Sequence, residues 1–332
     1  MFVLVLVLTP VYHLEGVAIA QVCQALFILL VALILIYRIS PYNRFGYWKW
    51  SKKSFKELFN YGYKFQVVSI CQLLYEPTTK LLLSKFGGLA VLGHYEMATR
   101  LVSQFRALLV NANQVVVPVV AENSKTKTKE EMQGFFKVMN QILLMFSLPL
   151  STLLLIISPF ISIIWIGDVN ANFVFSMLVL TTSAAINIMA GPSYFSCMGE
   201  GRLSILVIIH ISMAVMNIVF GYLLGVFAGG YGIITAWGIA LSLGSVFLIV
   251  AYSKTISLNF SVIFSRNDIF LLLASLILSI FTIFIFGSNI LKINSFTKTI
   301  VLIGVYFAVF IPIIAKNKSF LKLVSDFRLR KS

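Results

Sequence analysis

The feature that most constrains this chain is the length of its apolar runs. Bounded by charged or turn-rich breaks, they cover roughly 17–37, 58–84, 96–121, 138–163, 173–195, 204–227, 230–252, 268–287 and 298–315. A helix needs about 20 apolar residues to cross a hydrocarbon core of about 30 Å, and each run meets that length. A further apolar stretch, Met1 to Tyr12, is too short to cross alone. Hydrophobic residues make up 59% of the chain and charged residues 11%, too little polar surface to cover a soluble core. The expectation is an all-α, polytopic transmembrane helical bundle.

The formal net charge of +15 raises the question of nucleic acid, and its placement answers it. If the runs span, the loops alternate between two sides. Nineteen of the 26 Lys and Arg fall in 38–57, 122–137, 196–203, 253–267 and the tail 316–332. The opposite loops hold only Lys85, Lys292 and Lys298. By the positive-inside rule the basic set is cytoplasmic, the C-terminus included. The charge therefore follows topology, no nucleic-acid partner is expected, and the tail suits anionic membrane lipids. Cys23, Cys71 and Cys197 have no zinc-like spacing, so neither a metal nor a disulfide framework is expected.

Two stretches of the chain look alike. LEGVAIAQVCQALFILLVALILIY from Leu14 aligns with GYGIITAWGIALSLGSVFLIVAY from Gly230 when Gly16 is set on Gly232. Val17 then meets Ile233, Ala18 meets Ile234 and Ala20 meets Ala236. Such an offset suggests two related lobes of about six helices. At this offset Met1 pairs with Asn217, inside a predicted span, so the chain is expected to be N-terminally truncated. Met1 to Tyr12 has no basic leading region and no small-residue cleavage site, so it does not read as a signal peptide.

Four basic residues remain inside predicted spans: Lys64, Lys80, Arg100 and Arg106. A charged side chain costs at least ~2.5–3.5 kcal/mol at mid-membrane and tends to face the bundle interior or a wet cavity. At 100° per residue, Gln66, Ser69, Gln72, Glu76, Thr79 and Lys80 share an arc of about 140° on the span 58–84. On the span 96–121, Glu96, Arg100, Ser103, Gln104, Asn111 and Gln114 share about 100°. Arg106 and Asn113 sit beside that second stripe. Glu76 with Lys80 and Glu96 with Arg100 are four apart and can pair. Lys64 lies opposite its stripe, where it can snorkel.

Two adjacent helices with polar faces suggest a water-filled cavity, and its basic groups suit an anion. Lys80, Arg100 and Arg106 are candidates for a diphosphate, with Glu76 beside them; Gln72, Gln104, Asn111 and Gln114 are candidates for sugar hydroxyls. Asn140, Ser147, Ser151 and Ser158, with Pro149 opposite as an expected kink, read more plainly as interhelical hydrogen bonding. So do Ser183, Asn187, His210 and Asn217. No phosphate-binding GxxxxGK[ST] loop and no catalytic set is present, so no cofactor and no enzyme activity are expected.

The run LLLSKFGGLAVLGHYEMATRLVSQF, from Leu81 to Phe105, resembles a segment of polysaccharide flippases. A glycine-containing outer loop precedes a G-x-Y-x-x-A-x-R start, filled here by Gly87, Gly93, Tyr95, Ala98 and Arg100. Pro118 before a polar loop, and IIWIG with Trp165 and Gly167, add to the likeness. Together these are similar to Wzx-type repeat-unit flippases of the MATE-like exporter superfamily. The resemblance implies a MATE-like exporter fold lacking most of its first lobe. Residues 1–57 would be the remnant of that lobe, 58–252 the second six-helix lobe, and 253–332 two extra C-terminal helices with a basic cytoplasmic tail. It implies transport of a polyprenyl-diphosphate-linked oligosaccharide across a bacterial inner membrane, with a polysaccharide polymerase as a possible partner and Arg100 at the diphosphate. Two alternatives stay open. One is a cation-coupled exporter of drugs or of a lipid precursor, which an acidic cavity would favour. The other is a membrane-embedded glycosyltransferase or polymerase, which would want a large soluble loop or clustered acidic metal ligands.

Overall fold

The computed structural model describes residues 2–39, 50–114, 116–123, 128–257, 266–287 and 295–315. Parts of the basic loops counted above (40–49, 124–127 and 258–265) and the whole tail 316–332 lie outside these residues. Among the described residues every regular element is helical: α1 (Phe2–Ile39), α2 (Lys52–Phe86), α3 (Gly88–Asn113), α4 (Val116–Asn123), α5 (Lys129–Ile166), α6 (Ala171–Met189), α7 (Gly191–Gly199), α8 (Leu203–Thr255), α9 (Arg266–Gly287) and α10 (Ser295–Ala315). Among the described residues, five helical stretches are long and apolar enough to cross a membrane: Glu15–Arg38, Glu130–Ile166, Ala171–Met189, Leu203–Thr255 and Thr297–Ala315. The protein is a polytopic membrane helical bundle. The chain divides into two compact units, Met1–Phe59 and Asn60–Ser332.

The first unit is dominated by α1, which is not one straight helix. Its backbone breaks at His13 (φ 50, ψ −127). In the second unit α8 breaks at Gly229 (φ 57, ψ −138). The two breaks are 216 residues apart, the offset at which Gly16 aligns with Gly232. Gly16 and Ala20 are buried, as are their counterparts Gly232 and Ala236. The internal repeat is thus written in backbone angles as well as in letters. At Gly229 the chain doubles back, and a Cβ placed on Gly244 would run into Met213 of the first half. Each half of α8 has about 25 residues, or about 38 Å at 1.5 Å per residue, so each is long enough to span.

Prolines decide where two expected spans are interrupted. The run 96–121 was expected to be continuous, but α3 stops at Asn113 and α4 begins at Val116. Pro118 has no N–H to give the Gln114 carbonyl, which instead accepts from Val117 N at 3.1 Å. The helix also starts earlier than expected, straight after a turn in which Gly88 takes φ +81. The run 173–195 breaks the same way at Ala190, with Pro192 in the first turn of α7. By contrast, α5 passes through Pro149 and Pro159 without interruption. The carbonyl that Pro159 cannot reach, Leu155 O, accepts the Ser158 hydroxyl at 2.8 Å.

Four apolar clusters hold the second unit. Leu82 and Leu83 of α2, Tyr95 and Ala98 of α3, Met177 of α6 and Ile233 of α8 form one. Val68 and Tyr75 of α2 meet α7 and both halves of α8 in another. Leu271 and Leu278 of α9 and Leu302 and Phe310 of α10 pack on Leu144 and Ile156 of α5. Val120 of α4 meets Met132 and Phe195 in the smallest. Tyr95 and Ala98, two letters of the family-like motif, are therefore packing residues.

Candidate functional site

The polar groups on α2 and α3 separate into three places. In the first, Lys80 Nζ lies 2.5 Å from a carboxylate oxygen of Glu76 and 2.5 Å from one of Glu96. The expected pairing of Glu76 with Lys80 is present. The expected pairing of Glu96 with Arg100 is not, because Glu96 reaches across to α2 instead. Lys80 is thus enclosed by two carboxylates, and the cluster carries one negative charge in excess. In the second place, Arg100, Gln104 and Asn111 stand exposed along α3. Among the described residues Arg100 makes no ion pair.

The third place is a cavity of about 580 Å³ among α2, α3, α4, α6, α7 and both halves of α8. Its polar lining comprises Gln72, Arg106, Gln114, Asn187, Tyr194, His210 and Ser245, set among Phe65, Val110, Ile209, Met213 and Leu248. Of the eight residues proposed from sequence it gathers Gln72, Arg106 and Gln114. Lys80, Glu76, Arg100, Gln104 and Asn111 do not line it. No described lining residue is a carboxylate, so the charge facing this cavity is that of Arg106.

Arg106 does not float in the cavity. Its Nε donates to Asn187 Oδ1 at 3.0 Å. Asn187 Nδ2 in turn donates to Ser245 Oγ at 2.9 Å, and Ser245 donates to Leu241 O at 2.7 Å. A chain of hydrogen bonds therefore runs from α3 through α6 to α8, and among the described residues the remaining guanidinium N–H groups have no assigned hydrogen-bond partner.

The opposite wall is built on a histidine. His210 is buried, and Tyr75 OH lies 2.8 Å from its Nδ1 and 2.9 Å from its carbonyl oxygen. Gln72 Nε2 is 3.4 Å from His210 Nε2 and 3.5 Å from Tyr194 OH. Tyr75 also packs on Trp237, ring centroids 5.1 Å apart. One turn further along α2, Thr79 and Asn217 bond to each other, Asn217 Nδ2 reaching Thr79 Oγ1 at 3.1 Å.

Sequence reasoning set aside Asn187 and His210 as packing hydrogen bonds and passed over Tyr194 and Ser245. For Asn217 the packing reading holds. For the stripe on α5 the bonds stay within the helix: Asn140 donates to Phe136 O and Ser151 to Ser147 O. The intramembrane basic residues Lys80, Arg100 and Arg106 were the signal available. What separated them was the partner met on another helix: Glu96 for Lys80, Asn187 for Arg106, and none for Arg100 among the described residues.

A model of the family described as polysaccharide biosynthesis protein matches residues 1–175, more than half of the chain. The match takes in α2 and α3, and with them the Gln72 and Arg106 walls of the cavity. No curated protein and no solved structure matches. The chain belongs to the polysaccharide biosynthesis protein family.

Proposed function

We propose that this chain is a flippase component that moves polyprenyl-diphosphate-linked oligosaccharide repeat units from the cytoplasmic to the outer leaflet of the bacterial inner membrane. The observation that carries this reading is Arg106, fixed by Asn187 in a membrane cavity with no described carboxylate in its lining. A guanidinium offers paired planar donors to phosphate oxygens, and Gln72, Gln114, Tyr194 and Ser245 offer the mixed donors and acceptors that sugar hydroxyls need. The cavity volume falls in the range of small-molecule sites. Its lining comes from the parts of α2, α3, α4 and α8 that lead to the loops 38–57, 122–137 and 253–267, which positive-inside counting assigns to the cytoplasm. That is the side on which such a substrate is made. In this reading the chain transports rather than catalyses, and a polysaccharide polymerase is the partner that consumes what it delivers.

Arg106→Ala, introduced into the chromosomal gene, abolishes surface polysaccharide while the protein stays in the membrane at its usual level. Normal polysaccharide at normal protein level would sink the cavity assignment. Arg100→Ala made alongside separates the family-like motif from the cavity, since Arg106 lines it and Arg100 does not.

A second reading, a cation-coupled exporter of the same superfamily, is favoured by the excess carboxylate of Glu76, Lys80 and Glu96. It requires transport that responds to an imposed cation gradient and is lost in Glu96→Gln. Transport indifferent to both eliminates it.

A further inference from the structure

One neutral tautomer of His210 satisfies both of its contacts with Tyr75 at once, and it leaves Nε2 unprotonated toward the cavity. The Tyr75 hydroxyl has one proton and two neighbours, the His210 carbonyl oxygen and Nδ1. A carbonyl oxygen can only accept, so the hydroxyl proton goes there and Nδ1–H donates to the hydroxyl oxygen. In a neutral imidazole the other nitrogen is then a bare acceptor. Nε2 is that nitrogen, and the Gln72 amide presents its NH₂ group to it. The empty cavity thus holds one positive charge, Arg106, and one unprotonated imidazole nitrogen.

A diphosphate diester brings two negative charges, and charges taken out of water need compensation. Arg106 supplies one. The group placed to supply the second is His210, by taking a proton at Nε2. Gln72 allows this without a lost hydrogen bond, because turning its amide over offers Oε1 to Nε2–H and NH₂ to the cavity. The other titratable or charged groups around the ring are Tyr75 and its neighbour Cys71 on α2, Tyr194 on α7 and Arg106 on α3. Asn187 of α6 and Ser245 and Trp237 of α8 complete the surroundings without charge.

We propose that His210 is a proton-linked binding residue: a diphosphate-class anion enters this cavity together with one proton, which binds at His210 Nε2. The inference rests on reading the cavity as an anion site and adds how the second charge is met. The proton comes from water and returns to it when the anion leaves, so no bond other than N–H forms or breaks.

The test uses the purified full chain in lipid nanodiscs and, as the probe, the diphosphate diester farnesyl diphosphoryl-glucose, which itself takes up no proton near neutral pH. Calorimetric titrations in buffers of different ionisation enthalpy count the protons taken up on binding. Wild type is expected to take up close to one proton above the pH at which the free imidazole titrates, and to bind about tenfold more tightly per pH unit of acidification there. His210→Gln is expected to bind with no proton uptake and a flat pH profile. Binding by wild type without proton uptake overturns the proposal and leaves the anion site standing. Uptake that persists in His210→Gln also overturns it, assigning the proton elsewhere. Binding that survives Arg106→Ala unchanged overturns the anion-site reading and this inference with it. The wild-type proton count stands even if a variant fails to fold.

Discussion

Removing the side chain that steadies Arg106, without touching Arg106 itself, separates positioning from charge. In Asn187→Ala the guanidinium keeps its charge and loses the 3.0 Å bond from Nε. Ser245 still donates to Leu241 O at 2.7 Å and loses only the bond it accepted from Asn187. That second loss is common to the empty and occupied cavity, so it registers in stability, at about 0.5–1.5 kcal/mol for one hydrogen bond. Binding registers the freedom that Arg106 regains in the empty cavity and must lose again on contact. Immobilising one long side chain costs about 0.5–1.5 kcal/mol, which is roughly a two- to thirteenfold weaker Kd. The assay is titration of farnesyl diphosphoryl-glucose into nanodisc-held protein, with thermal unfolding followed in parallel. An unchanged Kd would refute the argument that Asn187 preorganises the arginine. So would a loss as large as that of Arg106→Ala, because Asn187 would then be contacting the ligand rather than holding its receptor.

Other outcomes follow from the backbone and the packing. Gly229→Ala puts a Cβ where φ is +57 and costs about 1–3 kcal/mol, whereas His13→Gly relieves the matching angle and raises the unfolding temperature; equal signs in the two variants would deny the shared geometry. A Cβ on Gly87 would sit 2.9 Å from Gly230 Cα and 3.0 Å from Leu83 O, so Gly87→Ala destabilises by about 1–3 kcal/mol, read as a lower midpoint in detergent. Thr128 and Glu131 exchange the reciprocal bonds of a capping box at the start of α5. Thr128→Ala therefore frays that turn at a cost of about 1 kcal/mol, seen as faster amide exchange confined to the first residues of α5, while Thr128→Ser keeps the protection.

The membrane bundle was legible because spanning length and charge placement are properties of single segments. The repeat was legible too, and the angles at His13 and Gly229 give it a physical form. The breaks at Gln114 and Ala190 could have been read from Pro118 and Pro192, had the missing N–H been set against the apolarity of the run. The site was harder. A helical wheel places Arg106 off the polar stripe of α3 and correctly finds a stripe, but it does not know what lies across from either. Arg100, Gln104, Asn111 and Arg106 are all exposed along α3, but Arg106 also reaches α6 and meets Asn187. Glu96 likewise chooses Lys80 over the nearer-in-sequence Arg100. Contacts between residues about 80 or 140 positions apart are tertiary facts, and no local period encodes them.

The single-residue break at Gly229 bears on how this protein enters its bilayer. Two apolar helices joined without a hydrophilic connection ask nothing polar to cross the hydrocarbon, so both halves of α8 can insert as one folded pin. The same economy leaves that end of the pin with no loop for a protease to cut or an epitope tag to replace. Topology mapping of this region therefore has to work from the Arg202 and Lys254 ends, where the helices carry charge.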